Sequence, residues 1–233
     1  MEVSQFKVND PAPPPNPDQA ALARTAAQVR TRLDDVPGVY KVPVEGAEIW
    51  TQGGFLSEDE CAQLIAMIDA AAEPSGLLSH GYTDVWRTSS SANFDRDDPF
   101  VQDIEQRICD FVGLPCDWGE TIQGQRYEPG QEFRQHLDSF WTLADYWPDE
   151  ARRGGQRAAT AMIYLNDVAE GGETEFSHLR ASVPPQQGVV LAWNNVMADG
   201  TPNQQTLHAG LPVKSGTKYI ITKWFRTRRW GEP

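Results

Sequence analysis

Residues 126–138 read Arg126-Tyr127-Glu128-Pro129-Gly130-Gln131-Glu132-Phe133-Arg134-Gln135-His136-Leu137-Asp138. Glu128-Pro129-Gly130 is a turn signal, and it predicts strands over Thr121–Tyr127 and Glu132–Asp138 on either side of it. Strand side chains alternate, so His136 and Asp138, two residues apart, project from one face. The same texture runs on to the C-terminus. Strands are predicted at Ala158–Asn166, Gly188–Trp193, Gln205–His208 and Lys218–Arg226. Asn166-Asp167, Gly171-Gly172, Pro184-Pro185 and Lys214-Ser215-Gly216 punctuate them. Many short strands between such turns describe a sandwich or jelly roll.

Upstream of Leu114-Pro115 the periodicity is helical. Asn16-Pro17-Asp18-Gln19 reads as a helix start, with Leu22, Ala26, Val29 and Leu33 as the buried stripe and Pro37-Gly38 as the stop. Strand-like runs follow at Val39–Val44 and Ala47–Trp50. Ser57-Glu58-Asp59-Glu60 is a capping box ahead of Leu64, Ile65 and Ile68. Asp98-Pro99 opens a third helix with the face Val101, Ile104, Ile108 and Phe111. The fold class is therefore α+β, mainly β. A Pro-rich tail occupies residues 1–16, and a single domain spans 17–233. Its helical support covers 17–114 and its jelly-roll core about 118–228.

Apolar residues make up 39% of the 233, enough for a sizeable core. Twenty basic against 33 acidic side chains leave a net charge of −13, which argues against nucleic acid or an anionic membrane as partner. Cys61, Cys109 and Cys116 form no CxxC pair and read as buried small hydrophobes in a reducing compartment. The N-terminus lacks the pattern of a signal peptide, so a cytoplasmic location is expected.

His136 and Asp138 need a third ligand, and Thr206-Leu207-His208-Ala209-Gly210 offers one. Two histidines and one carboxylate form the facial triad of non-haem Fe(II) oxygenases, and the same set suits Zn²⁺. Lys218 follows His208 by ten residues across the Lys214-Ser215-Gly216 turn, and a buried ammonium there needs an anion. A dicarboxylate held by the metal at one end and by Lys218 at the other satisfies it. Tyr127 and Thr160 are positioned to assist.

These blocks resemble a known family. Arg126–Asp138 resembles the prolyl 4-hydroxylase signature RY-x-x-G-Q-x-[FY]-x-x-H-x-D. Gln156–Asp167 with Gly171–Phe176, and Leu207–Lys218 with Thr222-Lys223-Trp224, continue the likeness in order. Trp86-Arg87-Thr88-Ser89-Ser90 is similar to the Arg-Thr-Ser stretch on the substrate side of those enzymes. The resemblance implies a double-stranded β-helix packed on N-terminal helices. It implies Fe(II) on His136, Asp138 and His208, and 2-oxoglutarate on Lys218 with Tyr127, Thr160 and Trp224. O₂ is the further cosubstrate and ascorbate the reductant. The implied reaction hydroxylates a substrate C–H and releases succinate and CO₂. The expected substrate is a prolyl residue in a peptide or protein, with a small molecule such as a free amino acid, or a non-catalytic sensing module, as alternatives. Arg87, Trp141, Arg157 and Arg226 are the substrate-side candidates. Arg226 departs from the His that collagen-type members often carry near that position, and Leu211 from their Cys. The Trp141–Gly155 segment is either a substrate rim or a solvated loop.

Overall fold

The computed structural model describes residues 18–76 and 86–231. The Pro-rich tail, the Asn16-Pro17 helix start, His80 and Tyr82 lie outside them. Helix α1 (Gln19–Asp35) buries the expected stripe Leu22, Ala26, Val29 and Leu33. Ser57 opens α2 (Glu58–Ala71) through a reciprocal box. The Glu60 N–H donates to Ser57 Oγ at 3.2 Å, and the Ser57 N–H donates to Glu60 Oε2 at 2.8 Å. Asp98 caps α3 (Pro99–Val112), and Gly113 ends it in the left-handed region at φ 73°. A short helix, α4 (Trp147–Arg153), lies within the segment read as a loop. Pro148 in its first turn and acidic Asp149 and Glu150 beside it supply the helix-start chemistry.

The described residues form fourteen strands: β1 (Tyr40–Lys41), β2 (Ile49–Gln52), β3 (Glu73–Pro74), β4 (Ser90–Asn93), β5 (Gln123–Tyr127), β6 (Phe133–His136), β7 (Ala159–Tyr164), β8 (Glu170–Gly171), β9 (Thr174–Phe176), β10 (Ala181–Val183), β11 (Val190–Asn194), β12 (His208–Gly210), β13 (Val213–Ser215) and β14 (Lys218–Phe225). An eight-stranded sheet runs β1-β2-β11-β7-β14-β5-β4-β3, and a four-stranded sheet runs β10-β9-β12-β6. The pairings are antiparallel, as in a jelly roll. Residues 17–114 are thus more than helical support, because β2 pairs with β11 and β4 pairs with β5 inside the large sheet. Gln205–His208 is not one strand. Residues Gln204–Thr206 form a 3₁₀ turn, and β12 begins at His208. Asn203 accounts for the difference: its Oδ1 accepts from the Gln205 N–H at 2.9 Å, a local bond that competes with the ladder.

The large sheet has two working faces. On β14, Tyr219, Ile221 and Phe225 join Ile108, Ile68 and Leu64 in the core under the helices. Their neighbours Lys218, Ile220, Thr222 and Trp224 line a cavity on the opposite face, which the small sheet closes. The fully buried Lys223 is the polar exception on the helix side. Its Nζ donates to Glu105 Oε1 on α3 at 2.5 Å and to the Glu120 carbonyl at 2.8 Å. Replacing Lys223 with methionine leaves the buried end of the Glu105 carboxylate with only the longer Arg96 contact at 3.6 Å and should cost about 3 kcal/mol, the low end for breaking a buried pair. Chemical denaturation checks this, and adding Glu105→Gln to the same chain should recover part of the loss.

Cys109 at the end of α3 and Cys116 form a disulfide with Cα atoms 5.4 Å apart, while Cys61 is free and buried. The pair corrects the reading of these cysteines as buried hydrophobes and removes their argument for a reducing compartment. Among the described residues no helix is long and apolar enough to cross a membrane.

Candidate active site

Strands β6 and β12 pair with His136 directly opposite His208, and the ring centroids lie 4.2 Å apart. Phe133 stacks on His136 at 3.6 Å, and Trp193 meets His208 edge-on at 5.0 Å. His136 Nδ1 lies 2.7 Å from the Arg134 carbonyl and His208 Nδ1 lies 2.9 Å from the Thr206 carbonyl. A carbonyl only accepts, so each Nδ1 carries a proton and Nε2 is the ring nitrogen left to face a metal. Burial, with His208 alongside, pushes the His136 imidazole down to about 3 and keeps it neutral.

Asp138 brings its Oδ1 to 3.9 Å from His136 Nε2. Its Oδ2 accepts from Thr160 Oγ1 at 2.6 Å, and that hydroxyl accepts from Asn195 Nδ2 at 2.9 Å. One donor atom from each of His136, Asp138 and His208 lies within 4.8 Å of the others. Two imidazoles and one carboxylate, each tied back through its other polar atom, fit an Fe(II) ion with open positions.

Thr160 was expected at the cosubstrate, and the structure corrects this. It is fully buried behind Asp138 and holds that carboxylate. The register explains it: Thr160 stands opposite Trp224 on one side and Trp193 on the other, at the metal end of β7. Thr160→Val keeps the shape and removes the bond, so metal affinity should fall about 10–100-fold. Equilibrium metal titration measures this directly.

Lys218 stands opposite Tyr127 across the β5–β14 pair. Its ammonium is 2% exposed and lies 5.3 Å from the Tyr127 ring centroid and 5.6 Å from that of Tyr164. Aromatic faces offset part of its desolvation, yet among the described residues no carboxylate lies within ion-pair distance. Burial pushes the ammonium down to about 7. Tyr127 lines the same cavity, but its hydroxyl donates to Gln125 Oε1 at 2.7 Å. Gln125, which no motif marked, and Thr174, which lies in the Gly171–Phe176 block without a role assigned to it, also line this inner cavity.

A second, outer cavity of about 550 Å³ meets the inner one at Phe133, His136, Asp138 and Trp224. Arg87, Arg157 and Arg226, three of the substrate-side candidates, line it. Trp141 is not among its lining residues, and Phe140 and Tyr146 from the same segment are. Arg87 donates to Ser89 and Ser91 and lies over Phe133. Arg157 grips Glu120 through Nε at 2.6 Å and Nη2 at 2.8 Å and lies 4.1 Å over the Trp224 ring. Glu120 and Glu150 escaped sequence reading because their partners are distant in the chain.

The family model of the 2OG-Fe(II) oxygenase superfamily matches residues 122–226. Probable prolyl 4-hydroxylase 10 of Arabidopsis thaliana is 34% identical over 200 residues, covering 76% of this chain and 68% of its own. Prolyl 4-hydroxylase 1 of Arabidopsis thaliana is 35% identical over 194 residues, covering 75% and 67%. The chain belongs to the prolyl 4-hydroxylase family of 2OG-Fe(II) oxygenases. It is thus a 2-oxoglutarate- and Fe(II)-dependent dioxygenase, with O₂ as the other cosubstrate. The crystal structure of a viral collagen prolyl hydroxylase from Paramecium bursaria Chlorella virus-1, as its 2-oxoglutarate complex, superposes on this dioxygenase with a TM-score of 0.60. That pair is 30% identical over 79% of this chain and 99% of the viral one. A Pseudomonas putida prolyl-4-hydroxylase, 21% identical over 90% of this chain with a TM-score of 0.55, shares the fold.

Proposed function

We propose that this dioxygenase hydroxylates a prolyl residue of a peptide or protein, with His136, Asp138 and His208 holding Fe(II) and Lys218 the distal carboxylate of 2-oxoglutarate. The observation that carries the reading is the buried Lys218 ammonium, which faces the same inner cavity as all three ligands and, among the described residues, has no carboxylate within ion-pair distance. Iron held there supplies the oxidising chemistry that couples conversion of 2-oxoglutarate and O₂ to succinate and CO₂ with oxygen insertion into a C–H bond. The protein's own part is placement. Lys218 orients the cosubstrate lengthwise, Thr160 keeps Asp138 turned to the metal, and Trp224 stands between the two cavities. Tyr127 walls the cosubstrate end and keeps water from it. Ascorbate serves as the external reductant. The prolyl substrate follows from the named activity of the relatives and from an outer cavity walled by Phe133, Phe140, Tyr146 and Trp224, faces suited to a pyrrolidine ring.

The test is succinate release from 2-oxoglutarate by anaerobically iron-loaded protein, with and without proline-rich peptides, beside His136→Ala. Peptide-stimulated succinate with a one-oxygen mass gain on the peptide, both absent in the variant, supports the reading. Iron-dependent succinate that peptides never stimulate, and free amino acids do, overturns the substrate assignment.

A further inference from the structure

Arg226 sits just beyond β14, is 1% exposed, and touches three separate parts of the chain. Its Nε donates to Glu120 Oε1 at 2.6 Å, beside the grip of Arg157 on the same carboxylate. Its Nη2 donates to Glu150 Oε2 on α4 at 2.6 Å, and its Nη1 donates to the Gly155 carbonyl. The guanidinium carbon lies 4.4 Å over the Phe140 ring, and that of Arg157 lies 4.6 Å from the same ring. A Cβ on Gly154 would come within 3.2 Å of Arg226 Cγ, so the end of the segment closes directly on the arginine stem.

The base of this segment is pinched independently. The Phe140 N–H donates to Gln156 Oε1 at 2.6 Å, and Gln156 Nε2 donates back to the Phe140 carbonyl at 2.9 Å. Residues 140–156 therefore form a loop closed at its neck by the fully buried Gln156 and held at its helix by Arg226. The loop begins two residues after Asp138, and Phe140, Tyr146 and Glu150 from it line the outer cavity.

The geometry points to Arg226 as a positioning residue that fixes the 140–156 loop as a preformed wall of the substrate cavity. This deepens the proposed function and rests on it only for the identity of the substrate. Arg226, Arg157, Glu120 and Glu150 neutralise one another, so their part of the wall presents ring faces and guanidinium planes whose charges are already matched. It meets its substrate there by shape and stacking, while Arg153 at the end of α4 brings an exposed positive charge to the rim of the same cavity. A Lys at 226 lacks the planar fork and can serve one carboxylate but not hold Glu120, Glu150 and the Gly155 carbonyl together.

Two variants test this in the metal- and 2-oxoglutarate-loaded protein: Arg226→Met, and Glu150→Gln as the milder change that leaves the Arg226–Glu120 pair intact. Amide hydrogen exchange over residues 140–156 should speed up at least tenfold in both, with the β7 and β14 amides unchanged. With a hydroxylated peptide in hand, the peptide KM should rise at least tenfold in Arg226→Met, and succinate released per hydroxylation should increase. The Kd for 2-oxoglutarate should stay within about twofold of the parent. Arg226→Lys should restore the peptide KM only in part. Unchanged exchange in 140–156 in both variants overturns the proposal, as does an equal rise in the peptide KM and the 2-oxoglutarate Kd. If no peptide is a substrate, the prolyl reading fails while the exchange result still decides the role of Arg226.

Discussion

Replacing Lys218 with methionine should raise the KM for 2-oxoglutarate by a hundredfold or more while making the ligand-free protein more stable. Both effects come from one buried ammonium. With the dicarboxylate bound, Lys218 is half of a buried ion pair, and breaking such a pair by removing one partner costs about 3–5 kcal/mol, equivalent to a factor of a hundred to several thousand. Without the ligand, the same charge lies over the Tyr127 and Tyr164 rings, with Glu173 beyond ion-pair distance easing its burial only in part. Burial lowers its pKa from the ordinary 10.5 to about 7. A base whose pKa falls on folding opposes folding in its protonated form. The penalty is absent above the unfolded value of about 10.5, grows as the pH falls, and is complete below about 7. Methionine fills similar volume without charge, so the gain should be on the order of 4 kcal/mol below pH 7 and fade toward pH 10.5. Denaturant titrations of the metal-free protein at pH 6.5 and pH 9, with 2-oxoglutarate kinetics on the loaded enzyme, measure both halves. An unchanged KM would falsify the role given to Lys218. A variant less stable than the parent at pH 6.5 would refute the energetic account.

Asp138→Asn should reduce metal affinity more than a hundredfold and bring hydroxylation to background, with the metal-free fold intact. The amide has the shape of the carboxylate and can still accept from Thr160 Oγ1. What disappears is the anionic donor, leaving two imidazoles that face each other at 4.2 Å. Loss of a group that merely orients a ligand costs about 10–100-fold, and loss of the ligand must exceed that. Metal titration followed by thermal melting separates the outcomes. Melting temperatures that agree without metal and diverge with it are expected, and retention of parental metal affinity would exclude Asp138 from the centre.

Part of the site was legible from spacing: His136 closes β6, and Asp138, two residues on and just past the end of that strand, lines the same cavity. Lys218 and Tyr127 face it too because they stand opposite each other across the β5–β14 pair, whereas the turns at 128–130 and 214–216 do not pair the strands they join. The jelly roll was legible from its turn residues, and the helix starts from Ser57 and Asp98. What was not legible is partnership between distant side chains. Thr160 sits on a strand expected to face inward, but nothing in its neighbours says that it meets Asp138 rather than the cosubstrate. The Glu120–Arg226–Glu150 bonds join residues 106 and 76 positions apart. The 3₁₀ turn at Gln204–Thr206 follows from where the Asn203 side chain points, and α4 was hidden by its brevity and its aromatic surroundings.

His136 and His208 stand opposite each other in the antiparallel register of β6 and β12. A slip of one residue between those strands would turn one imidazole to the other face of the sheet and scatter the three donors. A metal ion that binds only the aligned arrangement lowers the free energy of that arrangement by RT ln(1 + [M]/Kd) and of no shifted one. The ion is therefore also a proofreader of assembly: it rewards the one alignment of two short strands, three and four residues long, whose own ladder is too brief to choose it decisively.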